Sequence, residues 1–421
     1  MNRKQRRAAG RSGAASAAAP TGAAVWLATG MGHHQAGRLA DAEASYRRAL
    51  AVRPGDANAL HLLGTALQDQ GRLDDAIAAY RRAVGIAPDH VDAYADLGNA
   101  LQAQGRFDEA VTAYANAIRL KPDYAEMFSN LGLALRRQGH LEDAIEAFCR
   151  ATAIKPDYGE AYSNLGNALL AQGRRDESVA AYRQAIAARP GYAEAHSNLG
   201  VALQEQGETE AAIAAYRRAI ALQPDYAEAH ANLGNALRDR GRHREAIAAY
   251  RRAITLRPDH ALAWSNLGNA LRDQGRLTEA EAACRRAIAL VPDLAMAHSN
   301  LGNALQEQGR LEEAEAAFRR AVAIAPDYAA AHSNLLMCLH YAMSTTNAAL
   351  HAEAVAFGRR YQGLADTVTH DNRREPQRRL RIGYLSADFR NHPVGYFLTR
   401  VLAAHDHANV EIHCYADQIA E

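Results

Sequence analysis

The chain has 421 residues, 48 Lys and Arg against 47 Asp and Glu, 48% hydrophobic residues and only 6% aromatics. Balanced, interspersed charge removes any global electrostatic case for a nucleic-acid or membrane partner, and no run of about twenty apolar residues is present to span a bilayer. Much of the apolar content is alanine, which suits closely packed helices better than a large aromatic core.

The cysteines, Cys149, Cys284, Cys338 and Cys414, are far apart and form no CxxC pair. That is the thiol usage of a reducing compartment, so a cytoplasmic location is expected. Residues 1–22 begin "MNRKQRRAAGRSGAASAAAP", basic and then Ala/Gly/Ser-rich. Arg11, Gly13 and Ser16 interrupt any apolar core of a signal peptide. A disordered tail is expected, with weak contact to nucleic acid or an anionic surface as the alternative.

Residues 23–335 repeat one pattern. Pro54, Pro88, Pro122, Pro156, Pro190, Pro224, Pro258, Pro292 and Pro326 recur every 34 residues. Glycines from Gly37 to Gly309 keep that step, as does the series Tyr46, Tyr80, Tyr114, Phe148, Tyr182, Tyr216, Tyr250, Cys284 and Phe318. A fixed period of this length decides the architecture. In "ALAWSNLGNALRDQGRLTEAEAACRRAIALVPDL", residues 261–294, Trp264, Leu267, Gly268 and Leu271 mark one helix face. Gly275 permits a turn, Ala280, Cys284 and Ala287 stripe a second helix, and Pro292 stops it. Cys284 takes a place held elsewhere by an aromatic ring, so packing is its expected role.

This spacing resembles the tetratricopeptide repeat, with about nine full copies and a partial tenth. The first copy is weaker, with Thr29 and His33 where the others mostly carry leucine. The resemblance implies an all-α fold: antiparallel helix pairs stacked into a right-handed superhelix whose groove binds extended peptides or helices. On fold alone the client is unknown.

Asn130, Asn164, Asn198, Asn232, Asn266, Asn300 and Asn334 hold the sixth position of successive repeats, and Asn99, Asn167, Asn235, Asn269 and Asn303 the ninth. Positions three apart share a helix face. Asparagine inside a helix costs roughly 0.5 kcal/mol against alanine, so its repetition suggests that the amide is used. A row of amides about 10 Å apart carries the donors and acceptors to hold a peptide backbone. The competing reading is recent duplication, with each asparagine bonded inside its own repeat. His196, His230, His298 and His332 recur where other repeats place Trp or Tyr. Copies about 10 Å apart cannot share a metal whose bonds are about 2 Å, so packing with one satisfied polar tip is expected, and no metal site.

After residue 335 the period fails. Residues 336–379 read as a transition: an amphipathic helix over 347–365, then a polar linker over 366–379. Residues 380–421 begin something else. "LRIGYLS" and "VEIHCYA" have the composition of strands, "ADFRNHP" of a loop, and "VGYFLTRVLAAHD" of a helix. That β-α-β order opens a doubly wound α/β domain, in which ligands sit beyond the carboxyl ends of strands.

A repeat array followed by "LRIGYLSADFRNHP" and "VEIHCYA" resembles the bacterial O-linked N-acetylglucosamine transferases, family 41 of the glycosyltransferases. The resemblance implies a Rossmann-like (GT-B) lobe and inverting, metal-independent transfer of N-acetylglucosamine from UDP-GlcNAc to serine or threonine, with no cofactor. It implies an active-site loop of Asp388, Phe389, Asn391 and Pro393 around the catalytic residue His392, as general base or as a group positioning sugar or phosphate. It also implies that the asparagine row holds acceptor protein. The sequence stops at Glu421, short of the second lobe that supplies most donor contacts in that family, so peptide binding without turnover is expected of these residues. Two other readings stay open: a non-enzymatic scaffold, and a docking factor of another glycosylation or secretion system.

Overall fold

The computed structural model describes residues 22–342, 346–361, 380–385 and 410–415. The chain divides into two compact units, residues 1–345 and 346–421. Among the described residues there are twenty helices, numbered α1 to α20 in chain order, and two strands. The first unit is a helix-pair solenoid running from α1 (Gly22–Gln35) to α19 (Ala329–Tyr341). Each odd-numbered helix pairs with the even-numbered one after it, and each even one packs on the next odd one.

Local chemistry sets the ends of these helices. After each odd helix from α1 to α17 stands a glycine with positive φ, from Gly37 at +71° to Gly309 at +78°. There the chain closes by a paired cap: Gly71 N–H donates to the Gln68 carbonyl at 2.8 Å and Arg72 N–H to the Leu67 carbonyl at 2.9 Å. Each proline of the 34-residue series lacks the N–H that would continue an even helix. Entry to the next odd helix is side-chain capped at three places. Asp56 accepts from Ala59 N–H at 3.1 Å, and the Nδ1 atoms of His90 and His260 accept from Ala93 and Ala263.

The core alternates small and ring residues. In α13 (Ala227–Asp239) and α14 (His243–Leu256), Gly234 faces Tyr250, and a Cβ on that glycine would lie 2.6 Å from the Tyr250 ring. The same pairing recurs from Gly30 with Tyr46 to Gly302 with Phe318. Glycine is therefore required for a reason of volume: the ring fills the space a methyl group would take. Leu336 holds that place in α19, where the series of rings has ended. Cys284 substitutes for the ring against Gly268 and is fully buried.

In the second unit, α20 spans Asn347–Tyr361, within the helix expected over 347–365. Strands β1 (Leu380–Leu385) and β2 (Val410–Tyr415) are parallel, with Leu380 opposite Val410 and Leu385 opposite Tyr415. The helix expected between them lies outside the described residues, as do the tail 1–21 and the linker 366–379.

Candidate peptide-binding face

The sixth-position amides lie on the odd helices, and all seven are half-buried. The structure separates them into two groups. Asn130 donates through Nδ2 to Asn99 Oδ1 of the preceding repeat at 3.0 Å. Asn266 does the same to Asn235 at 2.9 Å. Asn300 donates to the Ser265 hydroxyl at 3.0 Å and to the Ser265 carbonyl at 3.3 Å. Each of these bonds crosses to the neighbouring repeat and none closes within its own. The equivalent Asp96 carboxylate accepts from His61 Nε2–H at 2.8 Å. Asn164, Asn198, Asn232 and Asn334 have no hydrogen-bond partner among the described residues.

The ninth position explains part of that division. The hydroxyls of Tyr114, Tyr182 and Tyr250 donate to Asn99, Asn167 and Asn235 at 2.9, 2.7 and 2.7 Å. Phe148 has no hydroxyl and its ninth position is Leu133, whereas Phe318, also without one, keeps Asn303. Where it is Val201, Tyr216 donates to Gln204 instead, at 3.3 Å. Neither Leu133 nor Val201 can accept, so the next repeat's Asn164 and Asn232 find nothing there. Cys284 breaks the pattern differently: it offers no hydroxyl to Asn269, whose Oδ1 is buried without a partner.

Asn198, Asn232 and Asn266 line one concavity of about 570 Å³, together with Asn235, Arg238 and Asp239. The recurrent fourth-position rings stand beside this row. His196, His230 and His298 place Nε2 at 3.3, 3.1 and 2.9 Å from the carbonyls of Pro190, Pro224 and Pro292. Trp264 Nε1 donates to the Pro258 carbonyl at 3.0 Å. The ring tip thus ties an odd helix to the turn before it, the packing role expected. Burial, opposed by the Pro190 hydrogen bond, lowers the pKa of His196, which keeps the ring neutral.

Charge on this face was not singled out from sequence. The odd helices carry four arginines and no lysine: Arg136, Arg137, Arg238 and Arg272. Arg238 pairs with Asp239 at 3.4 Å and Arg272 with Asp273 at 2.7 Å. Among the described residues, Arg136 and Arg137 have no carboxylate partner. The signal was present as "RR" where two sister repeats read "RD" and the others carry no arginine.

Asp388, Phe389, Asn391, His392 and Pro393 follow the carboxyl end of β1 directly in sequence and lie outside the described residues. Among the described residues, no helix is long and apolar enough to cross a membrane.

Family models agree with the repeat. Tetratricopeptide repeat models match residues 163–227, 231–295 and 295–328, and a model of the cilia and flagella-associated protein 70 C-terminal domain matches 51–189. The glycosyl transferase family 41 model matches residues 326–420. The chain is similar to the probable UDP-N-acetylglucosamine–peptide N-acetylglucosaminyltransferase SPINDLY of Solanum lycopersicum, 34% identical over 85 residues, 20% of this chain and 9% of that protein. It is also similar to the UDP-N-acetylglucosamine–peptide N-acetylglucosaminyltransferase of Caenorhabditis elegans, 38% identical over 85 residues, 20% of this chain and 7% of that protein. The chain thus matches less than a tenth of the length of either relative. The solved APC/C hetero-tetramer Cut9-Hcn1 shares the fold, with a TM-score of 0.50 and 16% identity over 75% of this chain and 76% of that one. Residues 22–341 form a tetratricopeptide-repeat solenoid. Near its end the chain carries a stretch like glycosyl transferase family 41, which relates it to the peptide N-acetylglucosaminyltransferases.

Proposed function

We propose that the odd-helix face holds an extended segment of an acceptor protein for a family 41 glycosyltransferase region. The observation that carries this is the set of half-buried amides without protein partners, Asn164, Asn198, Asn232 and Asn334, at one register of the solenoid. Their amide atoms stay open to solvent, so an extended backbone can replace water there with hydrogen bonds of about 0.5–1.5 kcal/mol each. Consecutive odd helices approach each other more closely than even ones do, which supports reading the row as the inner side of the curve. An extended chain advances about 3.3 Å per residue, so amides about 10 Å apart meet every third peptide unit. Recognition through the backbone leaves side-chain sequence free.

The transfer step follows from the family likeness. An acceptor hydroxyl would attack the anomeric carbon of UDP-GlcNAc with inversion, UDP leaving, and His392 would take the hydroxyl proton or orient the sugar phosphate. No metal enters this reading. In a transferase with a full family 41 region, His392→Ala is expected to cut turnover roughly 10²-fold with melting unchanged. Retained turnover with lost stability would make the histidine structural. A second reading, an array that only assembles partner proteins, uses the same amides and needs no His392. It rests on the match to tetratricopeptide repeat models alone.

The binding claim is tested with fluorescein-labelled 15-residue Ser/Ala peptides. A peptide and its scrambled form should bind alike, and N-methylation of every third backbone nitrogen should abolish binding. Binding that survives N-methylation would remove backbone recognition.

A further inference from the structure

Arg136 and Arg137 close the last turn of α7 (Ala125–Gln138) and line a concavity of about 480 Å³ with Asn99, Gln102, Leu133 and Phe107. The concavity lies between α7 and α5 (Val91–Ala103), on the face that carries the amide row. Arg136 is half-buried and Arg137 exposed. Among the described residues neither meets a carboxylate, whereas the other two arginines of the odd helices each pair with the aspartate that follows. Burial, then the charge of Arg137, pulls the pKa of Arg136 down. Two adjacent guanidinium groups repel each other, and the carboxyl-terminal partial charge of one helix offsets only part of that.

We infer that the Arg136–Arg137 concavity is a subsite for a carboxylate side chain, aspartate or glutamate, of a peptide lying along the amide row. A guanidinium presents a planar fork of donors that matches a carboxylate. Asn99 Oδ1 is already filled by Tyr114 and Asn130, so the concavity offers donors and little acceptor capacity. This selects an anion over a neutral amide. A segment held without regard to sequence elsewhere is then fixed in register by an acidic residue at the fourth repeat. The inference rests on the peptide-binding reading above.

The test uses the full chain and two labelled 15-residue Ser/Ala peptides that differ only by a central Asp or Asn. The wild-type chain should bind the Asp peptide about tenfold more tightly, the scale of one charge-assisted pair, with the gap closing at high salt. Arg136→Gln with Arg137→Gln should erase the preference and leave Asn-peptide affinity unchanged. Arg137→Asp recreates the pairing of Arg238 with Asp239 and should do the same, with circular dichroism verifying the fold of each variant. Equal binding of both peptides by the wild-type chain, or a preference surviving both variants, overturns the subsite alone. Failure of the wild-type chain to bind either peptide overturns the subsite together with the peptide-binding reading.

Discussion

Two stretches of the array carry the same asparagine at the same position and use it differently. At Asn130 and Asn266 the amide is tied to the ninth-position asparagine behind it, which in turn accepts a tyrosine hydroxyl. At Asn164 and Asn232 the residue behind is Leu133 or Val201, and the amide is free. The first arrangement locks neighbouring repeats together. The second leaves donors and an acceptor for something else. A repeated residue is therefore not evidence of a repeated role: at Asn164 and Asn232 the residue one repeat back lacks the acceptor that Asn130 and Asn266 use.

Base should have the largest effect, because it attacks the rings common to both kinds of repeat. Burial pushes the phenols of Tyr80, Tyr114, Tyr182, Tyr216 and Tyr250 well above the usual phenol range, and the Cys284 thiol up to about 12. A raised folded pKa means that the fold favours the protonated form. Its contribution is full below the unfolded values, about 8.5 for thiol and 10 for phenol, and is lost as pH rises through the folded ones. Unfolding by base should therefore begin near pH 9 to 10, with the last phenolates, those of the buried rings, appearing together with the loss of helical dichroism. Complete phenolate titration while the helices persist would show the buried rings to be accessible.

Next in size is the glycine that admits each ring. Gly234→Ala sets a methyl group 2.6 Å from Tyr250 and should cost about 1–3 kcal/mol or more in urea unfolding. Gly85→Ala, with open space around it, should stabilise by about 0.5–1 kcal/mol. If both destabilise equally, ring packing does not explain the conserved step of glycines along the array.

The ninth position allows a test by opposite signs. Asn235→Leu strips the acceptor from Tyr250 and Asn266 and should destabilise by about 1–3 kcal/mol. Asn269→Leu removes a buried oxygen that nothing satisfies and should stabilise by about 1 kcal/mol. Two losses of similar size would mean that the missing Cys284 hydroxyl is immaterial.

Much of the architecture was legible from spacing. Proline, glycine and ring residues at one step gave the helix pairs, and the runs "LRIGYL" and "VEIHCY" gave the two strands to within a residue. Backbone geometry and ring volume impose those residue types locally, so they can be read locally. The amide row was visible, but not which amides are free, since that depends on a partner 31 or 35 residues earlier. The ninth-position residue does not follow the ring: Tyr250 faces Asn235, but Tyr216 faces Val201 and Phe318 faces Asn303. Arg136 and Arg137 were also in view. Their isolation emerges only when every neighbouring carboxylate has been placed.

The central claim is that the unpartnered amides bind the peptide and the partnered ones hold the array together. It is tested by comparing two variants in one anisotropy and melting experiment with the neutral Ser/Ala peptide. Replacing Asn164, Asn198, Asn232 and Asn334 by alanine should weaken binding by about tenfold or more, from lost hydrogen bonds of about 0.5–1.5 kcal/mol each. Stability should stay level or rise slightly, since helical alanine is favoured. Replacing Asn130, Asn266 and Asn300 should lower stability relative to that variant and affect binding less. Unchanged peptide affinity in the first variant, or equal losses in both, would contradict the account.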